Sequence, residues 1–334
     1  MQETKITPPL LGSSPHVAVT YDTRKIMACV LIALAPAVVF GIIYFGIPAL
    51  LTILVSVIAA VLAELIFRII TGQAPRIADL SAVITGVLLA MVLPPGTPLW
   101  MTALGAVFAI VVAKEFFGGL GANVFNPALT GRAFLLMSFP AAITTWHVPA
   151  HAGSFTVSTA DVLTGATPMG ILQTGGDLGS LGNSYVEIIK TLFLGNHGGS
   201  IGETSVLAIL AGFIFLLAVR VIDWRAPVSM LAAVFILSFI MGRDPLIAIL
   251  GGGVFFGAVF MATDYVTTPL NAKGKVLFGC GAGIIIVLIR QWGAYPEGVA
   301  YSILIMNAVT PFLNRFLPKK YGYVKPVKAK EGAK

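Results

Sequence analysis

Charge is what this sequence has least of. Only 10% of its 334 residues are Asp, Glu, Lys or Arg, where an ordinary soluble domain carries about 25%. Cysteine is scarcer still. Cys29 and Cys280 are the only two, and both fall inside apolar runs. They are too few to ligate an iron–sulfur cluster or build a disulfide framework, and read as buried thiols. Of the four histidines, His147 and His151 have helical spacing. Pro149 stands between them and no third ligand is in view, so no zinc site is expected. No glycine fingerprint follows a strand and opens a helix, which leaves NAD binding by this chain unsupported. The net charge of +7 gathers in a tail, Arg315 to Lys334, with no interleaved stacking surface; nucleic acid is not an expected partner.

Apolar residues fill the space left by charge: 57% of the chain, with mean hydropathy +0.94. Runs long enough to approach a bilayer crossing, about 20 residues for a full span, predict an all-α polytopic membrane protein with about ten transmembrane helices. They cover Ile26–Gly46, Pro48–Ile70, Leu80–Leu93, Pro98–Phe117, Val124–Phe139, Thr204–Ile222, Pro227–Met241, Pro245–Ala262, Val276–Arg290 and Gly298–Phe316. Several are short and broken by Gly or Pro, a pattern that marks interrupted helices lining a site. Residues 1–21 are polar and hold no signal-peptide pattern, so the first span is expected to act as its own insertion signal. Basic residues set the orientation. With an even number of spans, one side takes Lys5, Arg24, Lys25, Arg68, Arg76, Lys114, Arg220, Arg225, Lys273, Lys275 and the tail; the other takes Lys190, Arg243 and Arg290. This bias puts both termini in the cytoplasm, in the bacterial inner membrane, and the loop 140–202 in the periplasm.

Two stretches echo each other. Pro98-Leu99 followed by Gly105-Ala106-Val107-Phe108 matches Pro245-Leu246 followed by Gly252-Gly253-Val254-Phe255 at equal spacing, and residues 127–132 resemble 269–275. Halves of five spans run in opposite directions, which predicts a five-plus-five inverted repeat with its sites at the interface between halves. The expected organisation is a segment 1–25, a repeat 26–139, a loop 140–202, a repeat 203–316 and a basic tail 317–334.

The loop holds Asp161-Val162-Leu163-Thr164-Gly165-Ala166-Thr167-Pro168. Gly165 and Ala166 offer no side chain to obstruct an approach to Thr167, and Pro168 restricts Thr167 to an extended conformation. A simple turn is the plainer reading. The block resembles the flavinylation signal Asp-x-x-(Ser/Thr)-Gly-Ala-Thr, in which a flavin transferase joins the phosphate of FMN to the last threonine. Asp161 would contact the transferase or its metal, with Thr164, Gly165 and Ala166 completing the signal.

A second segment strengthens that likeness. Lys114-Glu115-Phe116-Phe117-Gly118-Gly119-Leu120-Gly121-Ala122-Asn123-Val124-Phe125-Asn126-Pro127-Ala128-Leu129-Thr130-Gly131-Arg132-Ala133-Phe134 is similar to the RnfD component of the Rnf ion-translocating oxidoreductase and to its relative NqrB, from the sodium-pumping NADH:quinone oxidoreductase. Ser14-Pro15-His16, Leu93-Pro94-Pro95 and Ala262-Thr263-Asp264 extend the resemblance over essentially the whole chain. It implies covalent FMN on Thr167 and a second, non-covalent flavin, riboflavin, held by Asn123 and Asn126. Asparagine amides offer both donor and acceptor to a ring edge, although both residues would also serve as helix caps. Arg132 would steady an anionic flavin. The implied activity is that of an electron-relay subunit in a complex moving electrons between ferredoxin and NAD, coupled to Na⁺ or H⁺ translocation. The implied partners are a periplasmic flavoprotein, iron–sulfur subunits, the flavin transferase and membrane lipid.

Carboxylates bordering spans are functional candidates: Glu64, Asp79, Glu115 and Asp264 form a possible ion pathway. The alternative pairs Glu115 with Lys114, and Glu64 with Arg68 one turn away. The competing class for the whole chain is a urea-type channel of the same inverted architecture with no redox role.

Overall fold

Helix α1 (Thr23–Phe45) begins where the Asp22 carboxylate accepts a hydrogen bond from Thr23 N at 2.8 Å. It ends at Gly46, whose φ of 67° suits glycine and turns the chain directly into α2 (Ile47–Ile70), with Pro48 in its first turn. The computed structural model of the protein describes residues 22–74, 77–147, 165, 167–293 and 298–316. Among them there are helices and turns but no β-ladder. Each predicted apolar run coincides with helix: α1, α2, α3 (Ser81–Met91), α4 (Leu99–Val111), α5 (Pro127–Ser138), α9 (Val206–Ala218), α10 (Arg225–Ile240), a broken eighth run, α13 (Ala272–Trp292) and α14 (Val299–Leu313).

Four segments, Thr23–Phe45, Ile47–Ile70, Leu99–Phe117 and Ala272–Trp292, have the length and apolarity to cross a bilayer. Their outer faces carry exposed Ile32, Val39, Leu54, Ile58, Leu62, Ile66, Val107, Ile284 and Leu288. Helices satisfy their own backbone polar groups, so such faces suit lipid. The short α3 is different: nearly every side chain from Ser81 to Met91 is buried. A helix apolar all round belongs at the centre, and α3 sits there, against α1, α2, α4 and α5. The remaining packing is paired. α2 lies on α3 and α4, while α10 lies on α13 and the broken run; α4 packs on α5 and α13 on α14; across the middle, α1 meets α9 and α5 meets α14.

The eighth run, predicted as one span over Pro245–Ala262, is interrupted. It forms α11 (Pro245–Leu250), a bend at Gly251–Gly253, then α12 (Val254–Phe256) leading into a π-turn at Gly257–Met261. Gly252 and Gly253 adopt φ of 67° and 66°, which favours residues without a Cβ. The released carbonyls of Ala248, Gly251 and Gly252 are taken up by the Arg290 guanidinium, at 2.5, 3.0 and 3.3 Å. Among its described residues, the loop after α5 holds the short helices α6 (Pro140–Ile143), α7 (Pro168–Gln173) and α8 (Tyr185–Leu194).

Candidate functional site

Thr167 is the residue immediately before α7. Its φ of −66° and ψ of 155° are extended, as a residue ahead of proline should be. Its exposure differs from the expectation of an unhindered loop threonine. Thr167 is only 1% exposed, and its Oγ1 accepts from Gly170 N at 3.1 Å, capping α7. Thr167 is therefore the buried cap of a short helix. Gly165 N donates to Trp146 O at 3.1 Å. Asp161, Thr164 and Ala166 lie outside the described residues.

The Thr167 wall belongs to a cavity of about 470 Å³. Small-molecule sites run from about 300 to 1,000 Å³ and are mostly apolar with a few placed polar groups, and this one fits. Leu129, Arg132 and Leu136 contribute one stripe of α5; Phe256, Met261 and the Gly252–Gly253 bend contribute the broken run. Trp146, Gln173, Ser200, Glu203 and Tyr301 supply further polar groups. A mostly apolar pocket of this size, with an alcohol on its wall and a guanidinium in its lining, suits a planar ring system with an anionic tail.

Glu203 is 3% exposed. Its Oε2 accepts from Ser200 Oγ at 2.8 Å, while Oε1 is buried without a hydrogen-bond partner. Gly199 leaves the room it needs, since a Cβ there would stand 2.9 Å from Oε1. Glu203 is absent from the residues singled out in the sequence, although it is an ionisable group bordering a span, as Glu64 and Asp264 are. Ser200, Trp146 and Tyr301 carried no comparable signal.

Asn123 and Asn126 line a separate, smaller cavity of about 90 Å³, together with Ser81, Lys114 and Asp264. Asn126 uses its side-chain oxygen to cap α5, accepting from Ala128 N at 3.1 Å and Leu129 N at 3.3 Å. Asn123 Nδ2 donates to Phe125 O at 3.1 Å. Both side chains are thus engaged locally, and the space is well below what a flavin ring needs; these residues as arranged do not fit that group. Arg132, close to Asn126 in sequence, faces the larger cavity instead.

Three of the four candidate ion carboxylates, Glu64, Glu115 and Asp79, are joined in one network by Arg68, Lys114 and Ser81. Glu64 accepts from Lys114 Nζ at 2.7 Å and lies 3.7 Å from Arg68 Nε. Glu115 pairs with Arg68 at 3.3 Å, not with its neighbour Lys114. Lys114 also donates to Ser81 Oγ at 2.6 Å, and Ser81 Oγ donates to Asp79 at 2.7 Å. Asp264 stands apart, accepting from Thr267 Oγ1 at 3.0 Å. Two basic residues counted toward the orientation, Arg68 and Lys114, are therefore internal counter-charges. No cluster of three or more metal-ligating side chains occurs among the described residues.

Comparison with known proteins covers the same ground. The NQR2, RnfD, RnfE family model matches residues 10–322. The chain is 44% identical to the D subunit of the proton-translocating ferredoxin:NAD(+) oxidoreductase complex of Clostridium ljungdahlii, over 93% of this chain and 96% of that protein. It is 41% identical to the D subunit of the Na(+)-translocating ferredoxin:NAD(+) oxidoreductase complex of Acetobacterium woodii, over 97% and 98%. The D subunit of the ion-translocating oxidoreductase complex of Escherichia fergusonii is 35% identical, over 94% and 99%.

Proposed function

Since the chain belongs to the NQR2, RnfD, RnfE family, we propose that it is the flavin-bearing membrane subunit of an ion-translocating ferredoxin:NAD oxidoreductase complex, with FMN attached through its phosphate to Thr167. The observation that carries this reading is the Thr167 hydroxyl on the wall of a cavity of ligand size. When bound, a flavin accepts and passes on electrons one at a time. The chain's own part is to tether and enclose it: Thr167 at the anchor, Arg132 lining the pocket that receives the anionic end, and Phe256, Met261 and Leu136 excluding water. NAD and iron–sulfur chemistry fall to other subunits of the complex, because the chain carries no motif for either.

The architecture we propose is an inverted repeat of five plus five spans in the bacterial inner membrane, with both termini cytoplasmic and the Thr167 side periplasmic. Support comes from the paired packing, in which α2, α3, α4 and α5 are matched by α10, the broken run, α13 and α14. In this register α4 corresponds to α13. The echo between Pro98 and Pro245 links α4 to α11 instead, so it does not mark equivalent positions. Relatives named for protons and for sodium stand at 44% and 41% identity, so both ions remain assigned to the complex as a class. No electron step is assigned to the smaller cavity.

The test is flavin fluorescence of the denatured chain on a gel, after expression with an active flavin transferase. Wild type should fluoresce and Thr167→Val should be dark. A dark wild type, or a variant that keeps the signal, overturns the attachment and favours the pore reading, which has no use for a tethered cofactor.

A further inference from the structure

A buried carboxylate oxygen without a donor is costly, because the water it left is not replaced. Glu203 Oε1 is in that position, on the wall of the same cavity as Thr167. Its partner oxygen is fixed by Ser200 Oγ at 2.8 Å, so the carboxylate is held in one orientation. A carboxyl oxygen that carries no proton only accepts. The unmatched oxygen is therefore the complement of a ligand N–H or O–H. An oxidised isoalloxazine ring carries a single N–H, the imide of its pyrimidine edge.

We propose that Glu203 is a positioning residue that accepts a hydrogen bond from the imide N–H of the flavin ring tethered on Thr167. This rests on the reading of Thr167 as the attachment site and adds what holds the far end of the cofactor. The ring is then fixed at both ends, by a covalent bond at its phosphate and by Glu203 at its imide. No bond is made or broken at Glu203; its role is to keep the ring from swinging within the cavity.

The test uses the complex containing the full chain, loaded by the transferase, and reads the flavin without turnover. Glu203→Leu should keep its fluorescent band on a denaturing gel, yet lose flavin anisotropy in the native state and become several-fold more open to iodide quenching. Glu203→Gln, which keeps an acceptor oxygen, should restore most of the anisotropy. A wild-type chain loaded with FMN methylated at the imide nitrogen should behave like Glu203→Leu, a comparison that does not depend on the variants folding. The proposal fails if methylation leaves anisotropy and quenching unchanged, which, with Glu203→Leu altered, moves the contact to the ribityl chain. It also fails if Glu203→Leu matches wild type. A wild-type band without fluorescence would instead defeat the attachment itself.

Discussion

Replacing Lys114 with Met tests whether the buried charge network is held by mutual pairing. Lys114 is 2% exposed, and its Nζ lies 2.7 Å from Glu64 Oε2 and 2.6 Å from Ser81 Oγ. Methionine fills much of the same volume, so little cavity penalty is added and the loss is electrostatic. Glu64 would keep only Arg68, 3.7 Å away and already shared with Glu115. Removing one partner of a buried pair costs about 3–5 kcal/mol, because the other charge stays buried and unmatched, whereas replacing both is often close to neutral. The expectation is that Lys114→Met lowers the unfolding free energy of the detergent-solubilised chain by about that amount, and that Glu64→Leu with Lys114→Met recovers most of it. Reversible denaturation followed by circular dichroism would measure all three proteins. Additive losses would refute the reasoning, since they would mean that the two side chains do not depend on each other.

Other outcomes follow from the same structure. Gly252→Ala would force a Cβ into a left-handed backbone, at about 1–2 kcal/mol, and against the Arg290 guanidinium; the thermal midpoint should fall, with protease cleavage rising between α11 and α12. Asp223 lies in the connection between α9 and α10, where burial raises its carboxyl pKa but the Arg225 backbone N–H and the Lys275 and Arg225 side chains outweigh it, so the net shift is downward. A depressed carboxyl contributes stability that is complete above its unfolded pKa and disappears as pH falls through its folded one. An acid titration of unfolding should therefore show a shallower decline for Asp223→Asn than for wild type, and identical slopes would count against the pairing.

What the sequence made legible was whatever depends on neighbours along the chain. The apolar runs located the helices, Asn126-Pro127 announced the start of α5, and Pro168 dictated the extended backbone of Thr167. Contacts between distant segments were not legible. Lys114 and Glu115 are adjacent, yet they point to different partners, Glu64 and Arg68, because α2 brings both within reach. The eighth run reads as one span along the chain, and its bend is held by Arg290, which is brought in by α13. Glu203 carried too little local pattern to be noticed, and its place on the cavity wall emerges only when Thr167, Arg132 and the glycine bend meet around one cavity. The burial of Thr167 had the same cause: the turn lies in a polar stretch, and only the folded chain shows what covers it.

That covering bears on when the proposed cofactor would be installed. A modifying enzyme has to bring its donor phosphate onto Thr167 Oγ1, and in the finished protein that oxygen is engaged with Gly170 N on a residue buried from the surface. Under the proposed attachment, loading would belong to biogenesis: it would happen while α7 is still undocked, or α7 would have to peel away for it. Once esterified, the oxygen would be a poorer cap, and the tail of the cofactor would take over part of the work of seating the short helix. Chains made without the transferase would then close empty, and adding the enzyme late would rescue them slowly, at the rate at which α7 lifts.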